Sequence, residues 1–151
     1  MTNGVVTVFG GSGFAGKHVV RALVKDGWRV RIPMRRPHTG QDLRVIGNVG
    51  QVQLVQANLR YQNSVDRAVA GSDAVVNLVG VLFEEGRQTF NALHVQGAEN
   101  VANAAKAHGI TNFVHLSATG ADEAAASEYS RTKAAGEHSV AKAVPSADIM
   151  R

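Results

Sequence analysis

One junction constrains this chain more than any other. The β-branched run Val5-Val6-Thr7-Val8-Phe9 stops at glycine, and Val19, Val20, Leu23 and Val24 then recur at helical spacing. Between the two patterns lies Gly10-Gly11-Ser12-Gly13-Phe14-Ala15-Gly16, with glycines spaced G-x-x-G-x-x-G. Directly after a strand and before a helix, each glycine has a physical task. The first permits the turn's torsions, the second lets a pyrophosphate approach the backbone, and the third allows close helix packing. The helix start then offers free amides and the positive end of its dipole to phosphates. Gly10, Gly11, Ser12, Gly13, Phe14, Ala15 and Gly16 are therefore expected to bind a nucleotide. The bland alternative is an ordinary βα loop in a chain with 16 glycines among 151 residues. A Walker loop is excluded, because Gly16-Lys17-His18 has no hydroxyl after its lysine.

The alternation of strand and helix continues. Gly27 stops the first helix, and Trp28 to Ile32 alternates apolar residues with arginine before Pro33 and Pro37 bracket a basic loop. Val52 to Val55 predicts a third strand, Ser64 to Ala70 a short helix, and Asp73 to Val79 a fourth strand apolar enough to be buried on both faces. Phe90 to His108 predicts a helix with Leu93, Gly97, Ala98, Val101, Ala102 and Ala105 on one face. Asn112 to Ser117 is a fifth strand, Ala124 to Val144 mainly helix, and Ala147 to Met150 the start of a sixth strand. This order predicts an α/β domain with a parallel sheet covered on both faces, whose ligands bind at the carboxyl ends of the strands.

Composition narrows the chemistry. Without cysteine, disulfide scaffolds, Cys-type metal sites and thiol catalysis are impossible. The six histidines form no convincing ligand pairs, and Glu84-Glu85 and Asp122-Glu123 are adjacent loop residues, so neither a metal site nor a hydrolytic carboxylate pair is expected. Ala74 to Phe83 is too short an apolar stretch to span a bilayer as a helix. Met1-Thr2-Asn3-Gly4 does not begin a signal or transit peptide, which makes a cytoplasmic location the default expectation. Residues 1–67 hold ten Lys/Arg against three Asp/Glu, whereas residues 68–151 hold six against nine. The excess concentrates at Arg29, Arg31, Arg35 and Arg36, a patch suited to phosphate. Trp28 is the only aromatic in that cluster, so a nucleotide cofactor is favoured over a nucleic-acid polymer.

Two further features carry chemistry. Where an acidic residue after the second strand would bind the ribose 2′-hydroxyl of NAD, this chain has Arg35 and Arg36. Guanidinium suits bidentate contact with a 2′-phosphate, so NADP(H) is favoured over NAD(H); the alternative is a solvated basic loop. Tyr129 and Lys133 stand four residues apart on one helix face. An ammonium beside a phenol favours its ionised form, which suits Tyr129 as general acid or base and leaves Lys133 to hold ribose hydroxyls; the alternative is a solvated surface helix.

Gly10/Gly13/Gly16, Leu78-Val79-Gly80 and the Tyr129/Lys133 pair, in that order, resemble the short-chain dehydrogenase/reductase superfamily over practically the whole chain. The runs Val8 to Gly16, Arg35-Arg36-Pro37, Phe113 to Ala118 and Tyr129 to Glu137 are similar to its atypical NAD(P)-binding epimerase/dehydratase group. More narrowly they resemble the nucleotide-binding accessory subunits of respiratory complex I and their bacterial relatives. The resemblance implies a Rossmann doubly wound parallel sheet in three layers, with residues 1–151 forming the NAD(P)-binding domain and lacking the C-terminal substrate region. It implies cofactor contacts from Leu78, Val79, Gly80 and Lys133, and from Asn58-Leu59 where relatives carry an Asp-Leu pair beside adenine. Ser117-Ala118-Thr119 offers two candidates for the catalytic hydroxyl, Ser117 and Thr119, and His94 occupies the position of a customary asparagine. Two readings follow: an NADP(H)-dependent oxidoreductase, epimerase or dehydratase acting on a small molecule, or a non-catalytic NADPH-binding subunit peripheral to an inner-membrane assembly. An RNA-binding relative is a third, less favoured reading.

Overall fold

The apolar runs become strands wherever a glycine or polar turn releases them. A computed structural model describes residues 3–151. Its strands are β1 (Val5–Phe9), β2 (Arg29–Met34), β3 (Val52–Gln56), β4 (Ala74–Asn77), β5 (Phe113–Leu116) and β6 (Asp148–Met150). Its α-helices are α1 (Phe14–Lys25), α2 (Gln62–Val69), α3 (Ala98–Ala107) and α4 (Glu128–Ala143). The strands form one sheet in the order β3-β2-β1-β4-β5-β6, and every pairing is parallel. That is the doubly wound order, whose direction of winding reverses between β1 and β4.

Side-chain alternation sorts the strands into two cores. Val6, Val8, Val30, Ile32, Leu54 and Val76 face α1, where Val20 packs, and Leu43 closes that side from a 3-10 stretch at Pro37–Ile46. Phe9, Val75 and Phe113 face the other way, onto Val65 and Val69 of α2, Val101 and Ala105 of α3, and Val140 of α4. Helices thus cover both faces, giving the three layers expected.

Besides shifts of one or two residues at element ends, four features differ from the sequence reading. Pro33 lies inside β2 rather than at the edge of a loop. Val30 donates to Gln51 and Ala57 to Met34, so the even residues of β2 bond to β3 and the odd ones point at β1. The β1 register ends at Thr7↔Arg31, just before Pro33, which comes opposite Phe9 and has no N–H to give to β1, so the proline stops that ladder while β2 continues along β3. The predicted basic loop after it is largely 3-10 helix. The predicted helix from Phe90 begins instead as a π-helical segment, Asn91–Gly97, which runs into α3. Finally, α4 starts at Glu128 rather than Ala124, because Ser127 caps it by accepting from the Ser130 amide at 3.1 Å. Arg131 meanwhile donates to the carbonyls of Ala125 and Ala126 and holds the preceding residues in a turn.

The π segment and α4 meet backbone to backbone. A Cβ on Gly136 would collide with the His94 carbonyl oxygen and lie 3.6 Å from the Ala98 Cβ. Gly136→Ala is expected to lower the unfolding free energy by about 1–3 kcal/mol, as overpacking does elsewhere. Gly120→Ala, whose new methyl would meet only the Ser130 hydroxyl at 3.6 Å, should stay near wild type. Urea denaturation of the two variants side by side makes the comparison.

Candidate functional site

The site lies at the carboxyl ends of β1, β2, β3 and β4, where a cleft of about 760 Å³ opens. Gly10 leaves β1 with φ +81, and a Cβ there would sit 3.0–3.1 Å from the Leu78 carbonyl and the Val79 nitrogen. The glycine turn therefore rests against the chain leaving β4. The Gly13 amide closes the turn onto the Gly10 carbonyl at 3.1 Å, and Gly13 is the N-cap of α1. No side chain caps that helix and its first turn holds no acid, so its amides remain available to an anion.

The expected cofactor residues divide into two groups. Gly10, Ser12, Gly13, Arg35, Arg36, Asn58, Leu59, Leu78, Val79 and Gly80 line the cleft. Gly11, Ala15 and Gly16 lie behind or beside it: Gly11 packs against Ile32 and Val20, and a Cβ on Gly16 would collide with the Gly10 carbonyl. Phe14 stands 88% exposed with its ring edge-on to His18. The basic patch also divides. Arg31 donates to the Ala68 and Ala70 carbonyls at 2.7 Å, so it is spent on the C-terminal end of α2, and Arg29 starts β2 at the end remote from the cleft. Only Arg35 and Arg36 reach the cleft.

The cleft also holds Arg60, Arg87 and Gln88, which the sequence reading did not single out. Arg60 directly follows Asn58-Leu59, a signal that was present in the sequence, and its buried Nε has no hydrogen-bond partner. Asn58 is committed in part, its Oδ1 accepting from the Arg60 amide at 3.1 Å. Arg87 and Gln88 lie in a segment without periodicity. Four arginines thus face one carboxylate, Glu85, in a cleft floored by glycines and an uncapped helix start. That donor set fits a multiply phosphorylated nucleotide.

On the far side of Gly80, polar groups are buried. A Cβ on Gly80 would lie 3.6 Å from both His94 Nε2 and Lys133 Nζ. His94 Nε2 accepts from the Val81 amide at 3.1 Å, so its proton sits on Nδ1, 3.0 Å from Thr132 Oγ1, which in turn donates to the Tyr129 carbonyl. The imidazole stacks on Phe90 and meets the Tyr129 ring edge-on, with centroids 5.2 Å apart. Lys133, 4% exposed, donates to the Leu116 carbonyl at 3.1 Å. Burial lowers its pKa, opposed by the charge of Glu137 one turn along. Burial raises the Glu137 pKa, but Arg151, bonding both carboxylate oxygens at 2.9–3.0 Å, leaves it below its usual value. Of the two candidate hydroxyls, Ser117 is buried beside Glu137, whose pKa it helps to lower although its Oγ makes no hydrogen bond of full geometry, whereas Thr119 is exposed. Among the described residues no cluster of His, Asp and Glu side chains could hold a metal ion, and no helix is long and apolar enough to cross a membrane.

Fold and cleft define a doubly wound α/β domain with a cationic cleft at its winding reversal. The chain belongs to the NmrA-like family, whose model matches residues 2–149. It is 34% identical over 145 residues to the 40 kDa subunit of NADH-ubiquinone oxidoreductase from Neurospora crassa, covering 96% of this chain and 39% of that protein. It is 36% identical over 148 residues to a ceramide reductase from Caulobacter vibrioides, covering 98% of this chain and 45% of that protein. The chain thus spans less than half the length of these relatives. In fold it matches a putative NAD-dependent epimerase/dehydratase from Bacillus halodurans with a TM-score of 0.84 at 23% identity, covering 99% of this chain and 70% of that one.

His94 and His115 are both 2% exposed, and burial, with the Lys133 charge second, lowers each pKa to about 4. In the unfolded chain each titrates near its ordinary value of 6.5. As pH falls between those values the unfolded state takes up protons first, so stability is complete above about 6.5 and declines towards 4. The loss is on the order of 3 kcal/mol per imidazole. Urea titrations at pH 7, 5.5 and 4 should show it, and His94→Asn should remove roughly half of the slope.

Proposed function

We propose that this chain holds NADP(H) in the cleft and that Tyr129 and Lys133 transfer a proton to or from a small-molecule substrate. The observation that carries the cofactor reading is the set of four arginines, Arg35, Arg36, Arg60 and Arg87, around the uncapped start of α1. A pyrophosphate on the α1 amides uses the positive end of that helix, and an adenosine 2′-phosphate beside Arg35 and Arg36 uses two guanidinium forks. When bound, the nicotinamide supplies or takes the hydride. The chain's own groups do the rest. Lys133, buried between the ends of β4 and β5, holds ribose hydroxyls, the Tyr129 phenol gives or takes the proton, and Ser117 or Thr119 supplies the hydroxyl that orients a carbonyl. A relative named a ceramide reductase supports turnover.

A second reading is supported by relatives named as subunits of NADH-ubiquinone oxidoreductase. In it the chain is a non-catalytic NADPH-binding module on a respiratory assembly, peripheral to the membrane, and bound cofactor stabilises the fold by mass action. Both readings share one cofactor site and differ only at Tyr129.

Calorimetric titration with NADPH and NADH tests the shared part. NADPH is expected to bind more tightly, and Arg35→Ala with Arg36→Ala should weaken it by about tenfold or more while changing NADH by less than about twofold. Equal NADPH affinity in the double variant rejects the 2′-phosphate assignment. Tyr129→Phe then separates the readings: cofactor affinity persists in both, but any reductase turnover is abolished only in the first.

A further inference from the structure

Lys133 and Glu137 stand four residues apart on α4, the spacing at which opposite charges ordinarily pair along a helix. Here they do not. Both Glu137 oxygens are taken by the Arg151 fork, Oε1 accepting from Nε at 3.0 Å and Oε2 from Nη2 at 2.9 Å, and among the described residues that is the one ion pair Glu137 makes. Lys133 is engaged elsewhere. Its ammonium donates to the Leu116 carbonyl at 3.1 Å and lies beside Gly80 in the cleft wall, where an added Cβ would sit 3.6 Å from Nζ. An ammonium has three N–H groups, so donors remain beyond the one given to Leu116. Arg151 reaches Glu137 because β6 delivers it. The Ser117 amide donates to the Met150 carbonyl at 2.7 Å, which seats the end of that strand against β5. The carboxylate side chain is 11% exposed and the guanidinium side chain 53%, so the pair closes the buried polar groups off from solvent.

We propose that Arg151 is a positioning residue for Lys133: by occupying both Glu137 oxygens it withholds the carboxylate from the ammonium, which is left with donors to offer at Gly80. The inference rests on the reading in which Lys133 holds ribose hydroxyls. Its physical basis is what a buried carboxylate does when its partner is removed. Such a group requires a cation or several N–H donors, and one helical turn away the alternative partner is Lys133. Without Arg151 a change of rotamer brings Glu137 to that ammonium, and an ion pair along α4 takes the donors that faced the cleft. A lysine at position 151 would serve less well, since an ammonium is a point donor and a guanidinium fork binds both oxygens at once. The two imidazoles against Lys133, His94 and His115, have their pKa values lowered to about 4 by burial and stay neutral, so neither competes for the carboxylate as a cation.

Calorimetry with NADPH and 2′,5′-ADP on the full chain separates this role from a structural one, because 2′,5′-ADP carries the 2′-phosphate end without the second ribose. Arg151→Met is expected to weaken NADPH by about three- to tenfold, the scale of one hydrogen bond to a charged group, and 2′,5′-ADP by less than about twofold. Adding Glu137→Gln removes the carboxylate that captures Lys133 and should return NADPH affinity to within about twofold of wild type. Loosening of β6 alone would weaken both ligands and would not be mended by Glu137→Gln. Either of those results overturns the proposal, as does unchanged NADPH affinity in Arg151→Met. Should Arg151→Met fail to fold, Arg151→Lys carries the same test, with a loss of about two- to threefold and the same restoration. A readout without cofactor is the titration of Lys133, followed by NMR in a chain labelled at lysine Cε and assigned with Lys133→Met. Glu137→Gln should lower the Lys133 pKa further in the Arg151→Met background than in wild type. Equal lowering means that the carboxylate has not moved, and the proposal fails. If wild type binds neither ligand, the cofactor reading is lost, and the titration still decides whether Arg151 withholds Glu137 from Lys133.

Discussion

The approach of α1 to the turn that precedes it is the constraint on which the rest of the molecule depends. No side chain fits at Gly16, because a Cβ there would collide with the Gly10 carbonyl and lie 2.7 Å from the Gly11 Cα. Gly10 in turn touches the chain as it leaves β4. Two backbone contacts thus set the height of the first helix above the sheet and the direction in which the β4 chain departs. The cleft is the gap these two contacts leave, and its floor is made of main chain because side chains are excluded there. Such a floor presents amides that no side chain can screen, which is the condition for holding phosphate closely.

A second tie joins the cleft to the buried groups beyond it. Neutral His94 receives the Val81 amide on one nitrogen and reaches Thr132 with the other, so the segment after β4 and the first turn of α4 are held by one imidazole. A protonated ring would lose the Val81 bond and place a cation beside Lys133. Burial and that same lysine keep it neutral at ordinary pH. The π-helical segment carries the ring inward, and Gly136 lets α4 close onto its backbone. An asparagine could make similar bonds with less bulk, but it would not offer the flat face that stacks on Phe90 and abuts Tyr129. The departure from the customary asparagine is therefore compatible with an ordered site.

Much of this was legible in the sequence, for a physical reason. Strand runs and the helical face of α3 are repeated patterns, and burial enforces them over many residues: Leu93, Ala98, Val101, Ala102 and Ala105 are all buried. The glycine turn is legible because a backbone collision admits no substitute. What the sequence hid is set by single contacts. Nothing in Arg29-Val30-Arg31 distinguishes a free arginine from one bonded to the end of α2. Pro33 reads as a strand end because it has no N–H for a ladder, yet β2 continues through it on the β3 side, where the Met34 carbonyl accepts from Ala57. Arg87 and Gln88 reach the cleft only through a turn whose bonds are local and irregular, and the π segment differs from a helix by a bond shift that leaves the apolar spacing nearly intact.

The charge asymmetry noted in the sequence acquires a spatial meaning. Three of the four cleft arginines, Arg35, Arg36 and Arg60, come from the basic first part of the chain, from the ends of β2 and β3. Beyond Gly80 the buried cation is Lys133, kept near Glu137, which Arg151 pairs. The cleft arginines and the buried pair Lys133 and His94 thus lie on opposite sides of Gly80. On the function proposed above, changes on the arginine side alter which nucleotide is held, whereas changes around Lys133 and His94 alter what can be done beside it. On that function a fold divided in this way can lose one capacity and keep the other, in line with relatives named as a ceramide reductase and as a subunit of NADH-ubiquinone oxidoreductase.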